Sequence, residues 1–199
     1  MQRMFRESYS QRWPDYSTRL ENLRASGDET PSALLAEFID AGRSSLENLA
    51  HSIDFKTLAD AVTTMANAPM IHIIGLSRAF PVATYLAYAF EKMDVPTMLH
   101  SKVGNLDLRH AINPEDVLIA ITFAPYTQET LDLASFANAQ GSKIVAITDA
   151  LNSPLHNLEA LTLMVSEVDV GAFRALTAPL SLAITLAVAV GTQRNSSTN

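Results

Sequence analysis

A chain of 199 residues, 48% of them apolar, can bury one good core or one core plus a helical arm, whereas two complete domains would be cramped. It has no cysteine, which excludes a disulfide framework and thiolate chemistry and suits a reducing cytoplasm. The formal charge of −7 is uneven, because residues 1–26 hold five Arg against Glu7, Asp15 and Glu21; the acidic remainder does not attract nucleic acid by itself.

The opening residues Met1 to Arg6 lack the apolar core of a signal peptide. Over residues 1–25, Phe5, Tyr9, Trp13, Tyr16, Leu20 and Leu23 recur at helical spacing and are interrupted at Pro14, which predicts two short helical pieces whose aromatic stripe packs on the body or on a second subunit, or else is the trailing edge of a further domain. Ser26 to Pro31 reads as a linker, with Thr30 as N-cap and Pro31 at the first helical position. A helix follows to about residue 51, with Leu34, Leu35, Phe38, Ile39, Leu46, Leu49 and Ile53 on one face. A second begins at Asp54.

From residue 70 the pattern changes to short β-branched runs alternating with helical stretches. Met70–Ile74, Pro96–Leu99, Val117–Ile121, Lys143–Ile147 and Leu161–Val165 read as buried strands, and Phe80–Lys92, Gln128–Gln140 and Ala172–Val190 as helices. Strands alternating with helices predict an α/β fold with a five-stranded parallel sheet flanked by helices. The domain is expected over residues 31–191, after a helical arm and linker over 1–30 and before a polar, disordered tail over 192–199. The apolar run Leu176 to Val190 is shorter than the roughly 20 residues a bilayer crossing needs. It reads as a buried helix.

Ligands of open parallel sheets bind at the carboxyl ends of the strands. There the chain places Gly75, Ser77 and Arg78 after the first strand, Thr122, Tyr126, Thr127 and Thr130 after the third, and Ser153 after the fourth. Hydroxyls at a helix start, with its unpaired N–H groups and dipole, suit a phosphate; the same threonines could equally cap the helix. Ser153 before Pro154 reads first as a cap for a short helix. Past the fifth strand, Glu167 and Asp169 leave Arg174 a choice between pairing with these acids and meeting a ligand anion. His51, His72, His100, His110 and His156 have no metal-ligand spacing, and His72 reads as a satisfied core residue. A dinucleotide site would need three glycines after the first strand and an acid after the second, where His100 stands, and no Gly-Lys-Ser or Gly-Lys-Thr phosphate loop occurs. No cofactor is implied.

Three segments together resemble the sugar isomerase (SIS) domain: Ile73-Ile74-Gly75-Leu76-Ser77-Arg78, Asp116 through Thr130, and Ala146-Ile147-Thr148-Asp149 with Ser153-Pro154-Leu155. The likeness is nearest to the C-terminal effector domain of RpiR-type transcription regulators, through Phe80 to Tyr88, Thr122 to Tyr126 and Phe173-Arg174-Ala175-Leu176. The resemblance implies a flavodoxin-like, three-layer fold. It also implies a cytoplasmic sensor of a sugar phosphate or sugar acid that works as a homodimer or tetramer, with no catalytic residue. Residues 1–25 are too short for that family's helix-turn-helix head, so DNA would be reached only through a domain not complete here. Gly75, Ser77, Arg78, Thr122, Tyr126, Thr127, Ser153, Glu167 and Arg174 are the expected ligand-binding residues. The family's loop reads Ser-x-Ser-Gly-x-Thr-x-Glu, and here Ala124 and Pro125 replace its second Ser and Gly. Losing one hydroxyl and one N–H donor, at about 1 kcal/mol each, predicts binding roughly 10- to 100-fold weaker. The alternative implied by the family is an aldose–ketose phosphate isomerase, with Glu167 or His100 moving the proton.

Overall fold

The computed structural model describes residues 14–26, 30–105, 107–150 and 152–197. The expected first helical piece of the arm and the middle of the linker lie outside these residues. In chain order the elements are α1 (Tyr16–Ser26), α2 (Pro31–Ser52), α3 (Phe55–Asn67), β1 (Ile71–Gly75), α4 (Phe80–Glu91), β2 (Thr97–Leu99), β3 (Val117–Thr122), α5 (Gln128–Gln140), β4 (Lys143–Thr148), β5 (Leu161–Met164), β6 (Asp169–Val170), β7 (Phe173–Arg174) and α6 (Thr177–Ser197).

The five parallel strands run in the order β2-β1-β3-β4-β5, so the α/β fold class read from the alternating pattern holds. β1 and β3 are buried along their whole length, which is why they appear in sequence as unbroken apolar runs and not as an alternation. Ile71, Ile73, Ile119 and Ile121 point to one face, where α3, α4 and α6 cover them; Ile74, Leu118 and Ala120 point to the other, under α5 and Leu155. Because β2 and β3 lie on opposite sides of β1, the loops after β1 and β3 diverge and leave a crevice at the carboxyl edge.

Local chemistry sets the boundaries. Thr30 accepts a hydrogen bond from Ala33 N–H at 3.4 Å with Pro31 in the first turn, as the linker reading predicted. The carboxylate of Asp54 accepts from the N–H groups of Lys56 and Thr57 and so caps α3.

Three expectations need correction. The apolar face drawn for α2 is buried only in part: Leu34, Phe38, Leu49 and Ile53 are half-buried, and Leu49 and Ile53 pack on the core, but the fully buried positions are Ala41, Gly42 and Ser45, whereas Leu35, Ile39 and Leu46 are exposed. Small residues win because α2 lies close to the start of α6, where a Cβ on Gly42 would sit 3.1 Å from Thr177 Oγ1. Secondly, α6 starts at Thr177 and not Ala172, because residues 169–174 form a hairpin, β6 pairing with β7 around Gly171 and Ala172, both at positive φ (54° and 67°). Two successive positive-φ residues suit a tight hairpin turn, and the later start leaves Pro179 in the helix's first turn, where its missing N–H does no harm. Thirdly, α6 continues to Ser197, through most of the expected tail. Arg194 there donates to the carbonyls of Ala66 and Ala68 at 3.2 and 2.8 Å, closing the C-terminus of α3.

Candidate functional site

A cavity of about 510 Å³ occupies the crevice between the β1 and β3 loops. Ser77, Arg78, Phe123, Ala124, Thr127 and Arg174 line it from the sheet side, and Tyr16 and Arg19 of α1 line it from the arm.

The floor depends on Gly75. A Cβ there would lie 3.0 Å from Ala83 Cβ and 3.1 Å from Ala79 O, so glycine lets β1 turn directly into α4. The chain then makes a single tight turn over Ser77–Ala79, with Ser77 at φ 53°. This turn projects Arg78 across the Phe123 ring, its guanidinium carbon 4.7 Å from the ring centre. Arg78 Nη1 is buried and has no hydrogen-bond partner. Burial and the nearby charge of Arg174 pull the Arg78 pKa down to about 10, against the opposing pull of Asp149, Glu167 and Asp169. The group stays cationic at neutral pH but is under-compensated.

Asp149, at the end of β4, organises the opposite wall. Its two oxygens accept from Ala124 N–H at 3.1 and 3.0 Å, and Oδ2 also accepts from Arg174 Nη1 at 3.2 Å, with Arg78 Nη2 4.0 Å away. Arg174 Nη2 donates to the Ala124 carbonyl at 2.6 Å and Nε faces Asp169 at 3.4 Å. Of the two acids weighed for Arg174 it meets Asp169 and not Glu167, with Asp149 as a further partner, and its side chain also borders the cavity. Where the family loop has its second Ser, the Ala124 main chain is held on both sides by this carboxylate–guanidinium pair.

The hydroxyls divide by role. Thr122, 1% exposed, uses Oγ1 to accept from Thr127 N–H at 3.2 Å and so holds the start of α5 without lining the cavity. Thr127 occupies the N-cap position without a side-chain cap bond and does line it. Tyr126 is half-buried and stands outside the lining. Ser153 precedes a short helical turn over Pro154–Leu158, yet its hydroxyl makes no cap bond, is buried and has no partner; the expected capping role is not realised, and the residue is away from the cavity. Glu167 Oε1 accepts from Ala178 N–H at 2.6 Å and anchors the first turn of α6, while Oε2 is buried without a partner. Of the nine residues nominated from sequence, the fold therefore gathers Ser77, Arg78, Thr127 and Arg174 on the cavity wall, with Gly75 beneath and Thr122 behind.

Asp149, Phe123, Tyr16 and Arg19 were missed. An acid directly after the strand beside β3 was a usable signal for Asp149, because neighbouring parallel strands end at the same edge. For Tyr16 and Arg19 the sequence offered only an aromatic stripe without a partner.

His100 belongs to a different cluster. His72, wholly buried in β1, lies 3.3 Å from Asp116 Oδ2 through Nε2 and 3.0 Å from His100 Nε2 through Nδ1. If His72 Nε2–H donates to the Asp116 oxygen, His72 Nδ1 is left to accept from His100 Nε2–H. His72 is the satisfied core residue expected. Burial first, then the charge of His72, lower the His100 pKa to about 4, so its imidazole is neutral at pH 7. His100 lines a separate cavity of about 100 Å³ with Lys102 and Asp107. Among the described residues no cluster of His, Asp and Glu could hold a metal ion, and no helix is long and apolar enough to cross a membrane.

Residues 64–189 match the SIS domain family model, more than half of the chain. The chain belongs to the SIS domain family. A Clostridium perfringens protein described as an uncharacterized helix-turn-helix-type transcriptional regulator is 24% identical over 143 residues, 71% of this chain and 51% of the regulator. This SIS chain thus spans about half the length of that relative. The sugar isomerase domain of an RpiR transcription factor from Sphaerobacter thermophilus superposes with a TM-score of 0.72 at 16% identity, over 82% of this chain and 92% of that one. The Vibrio vulnificus NanR protein, solved with ManNAc-6P, gives 0.64 at 20% identity, over 89% of this chain and 66% of that one. Solved proteins of this fold include a transcription factor's sugar isomerase domain, a protein bound to a phosphosugar and a protein inferred to be a 3-hexulose-6-phosphate isomerase.

Proposed function

We propose that this SIS domain is the ligand-sensing part of an RpiR-type transcription regulator, binding a phosphorylated sugar or sugar acid in the cytoplasm. The observation that carries the reading is Arg78: a part-buried guanidinium, its enclosed Nη1 without a partner, that lines with Ser77 and Thr127 the cavity at the sheet's carboxyl edge. A phosphoryl oxygen beside the Arg78 guanidinium would gain about 1.5–3 kcal/mol per charge-assisted hydrogen bond, and would also gain from the N-terminus of α5. The relationship to a helix-turn-helix-type regulator and the shared fold with NanR, which was captured with a phosphosugar, support a sensor. So does the position of the two groups nominated for proton transfer, since neither Glu167 nor His100 lines the cavity.

Signalling would run through a homodimer. Leu35 and Ile39 of α2, Tyr85 and Tyr88 of α4 and Val188 of α6 are exposed, from 38 to 62%, and would gain cover in a second copy. A stable monomer in sedimentation at micromolar concentration would sink the dimer. DNA would be reached through a separate helix-turn-helix domain.

The test of the ligand is a thermal-shift screen of sugar phosphates and sugar acids against the wild type and the Arg78→Ala, Thr127→Ala double variant. A compound at 100 times its dissociation constant adds about 2.7 kcal/mol. The reading fails if no compound stabilises the wild type more than the double variant. An aldose–ketose phosphate isomerase is the second reading, favoured by the partnerless Oε2 of Glu167. Turnover of a phosphosugar that disappears in Glu167→Gln would put it first.

A further inference from the structure

Two adjoining residues of the cavity wall offer a ligand no hydrogen-bond donor. Ala124 N–H is taken by the Asp149 carboxylate at 3.1 and 3.0 Å, the Ala124 carbonyl accepts from Arg174 Nη2 at 2.6 Å, and Pro125 has no N–H. Both residues line the cavity. Where the family loop has a serine hydroxyl and a glycine N–H, this chain therefore has a methyl group and a pyrrolidine ring.

The aromatic side of the cavity continues from this segment. Phe173, also a lining residue, directly precedes Arg174, whose guanidinium reaches Ala124, so β7 and the loop after β3 form one stretch of wall. α1 fixes the hairpin from outside: the Tyr16 ring lies 5.9 Å from that of Phe173, and a Cβ on Gly171 would sit 2.8 Å from Leu23 Cδ1. The polar groups that suit a phosphate belong to other segments, Ser77 and Arg78 to the turn after β1 and Thr127 to the start of α5. The cavity thus has an anion-binding part and a carbon-lined part.

We infer that the ligand is a phosphorylated sugar carrying a methyl group, whose phosphate meets Ser77, Arg78 and Thr127 and whose methyl packs on Ala124, Pro125 and Phe173. This inference rests on the phosphosugar reading above and narrows it. A hydroxyl set against this wall leaves its water and finds no donor in exchange, whereas a methyl has no hydrogen bond to lose and gains by leaving water. The Ala124-Pro125 step, which weakens a plain sugar phosphate, is then the feature that selects between ligands. Two kinds of sugar phosphate supply such a methyl, an acetamido sugar and a 6-deoxy sugar.

The experiment is isothermal titration of the full chain with matched pairs. Glucose, galactose and mannose 6-phosphates are each compared with the 2-acetamido-2-deoxy counterpart, and L-galactose 1-phosphate with its 6-deoxy form, L-fucose 1-phosphate; the pair that responds tells the two sources of the methyl apart. At least one methyl-bearing compound should bind wild type about 4- to 20-fold tighter than its partner, the span from one buried methyl to a methyl plus one hydrogen bond that the hydroxyl cannot recover. Ala124→Ser, which returns the hydroxyl of the family loop, should bring that ratio within about 2-fold by tightening the plain sugar phosphate, and Phe173→Ser should lower it by weakening the methyl-bearing one. Equal binding within every pair by wild type overturns the inference. So does a ratio that survives either variant, including the case in which both affinities fall together because the wall has only loosened. The phosphosugar reading fails separately, and takes this one with it, if no compound binds wild type or if Arg78→Ala leaves all affinities unchanged.

Discussion

Replacing Arg174 by alanine tests the organisation of the site directly. The side chains of Arg174 and Asp149 are 9% and 11% exposed, so solvent screens their pairing little. Removing one partner of a buried ion pair costs about 3–5 kcal/mol, because the remaining charge is left under-compensated. Here Asp149 would keep the Ala124 N–H, at 3.1 and 3.0 Å, and Arg78 at 4.0 Å, which places the loss near the lower end, about 3 kcal/mol. At about 2–4 °C per kcal/mol for a domain of this size, Arg174→Ala should melt roughly 6–12 °C below wild type. Arg174→Lys keeps the charge but loses the fork that spans Asp149 and the Ala124 carbonyl, so it should fall between the two. Urea unfolding at pH 7, followed by far-UV circular dichroism, gives the free energies. A loss below about 1 kcal/mol for Arg174→Ala would mean that the pair is effectively solvated and does not hold the β3 loop in place.

Thr122→Val preserves shape but removes the acceptor for Thr127 N–H, so it should cost about 1 kcal/mol in urea unfolding, whereas Thr127→Val, which loses no cap bond, should cost less. Equal costs would refute the division of roles between the two threonines. Glu167→Ala removes the acceptor of Ala178 N–H and should cost about 1–2 kcal/mol, with Glu167→Gln recovering much of it because the amide oxygen still accepts; identical losses for the two would rule out a capping role. The third concerns pH. His100 titrates at about 4 in the fold against an ordinary 6.5, so the unfolded chain takes up a proton that the fold refuses as pH falls through 6.5. Its stabilising contribution is complete above pH 6.5, declines down to about pH 4 and is constant below. Unfolding midpoints between pH 7 and 4 should therefore fall less steeply for His100→Gln than for wild type, and parallel curves would refute the assignment.

The parallel sheet was legible because strands covered on both faces must be apolar at every position, as Val117 to Ile121 is, and because turn chemistry such as Thr30-Pro31 marks helix starts locally. Part of the α2 face, Leu35, Ile39 and Leu46, was misread for a related reason. Hydrophobicity ranks Leu35 and Ile39 above Ala41 and Gly42, yet close helix approach selects for small size. At the C-terminal end, the composition of residues 192–199 signalled a tail, but the chain's polar groups find partners in three dimensions: Arg194 closes α3 through the carbonyls of Ala66 and Ala68.

By itself the sequence determined the strand–helix alternation, the position of the carboxyl-edge loops and the presence there of Gly75, Ser77, Arg78 and Thr127, because each depends on residues within a few positions of one another. Only the tertiary structure decided which polar groups remain available. Thr122 is consumed by a neighbouring N–H, Arg174 by Asp149 and Asp169, and one oxygen of Glu167 by α6, whereas Arg78 Nη1 and Glu167 Oε2 are left without a partner. It also brought Arg19 to the cavity from more than 50 residues away in the chain. Hydrogen-bonding capacity is finite and is allotted by contacts between distant segments, so the residue types can be read from the chain, but their vacancies exist only in the fold.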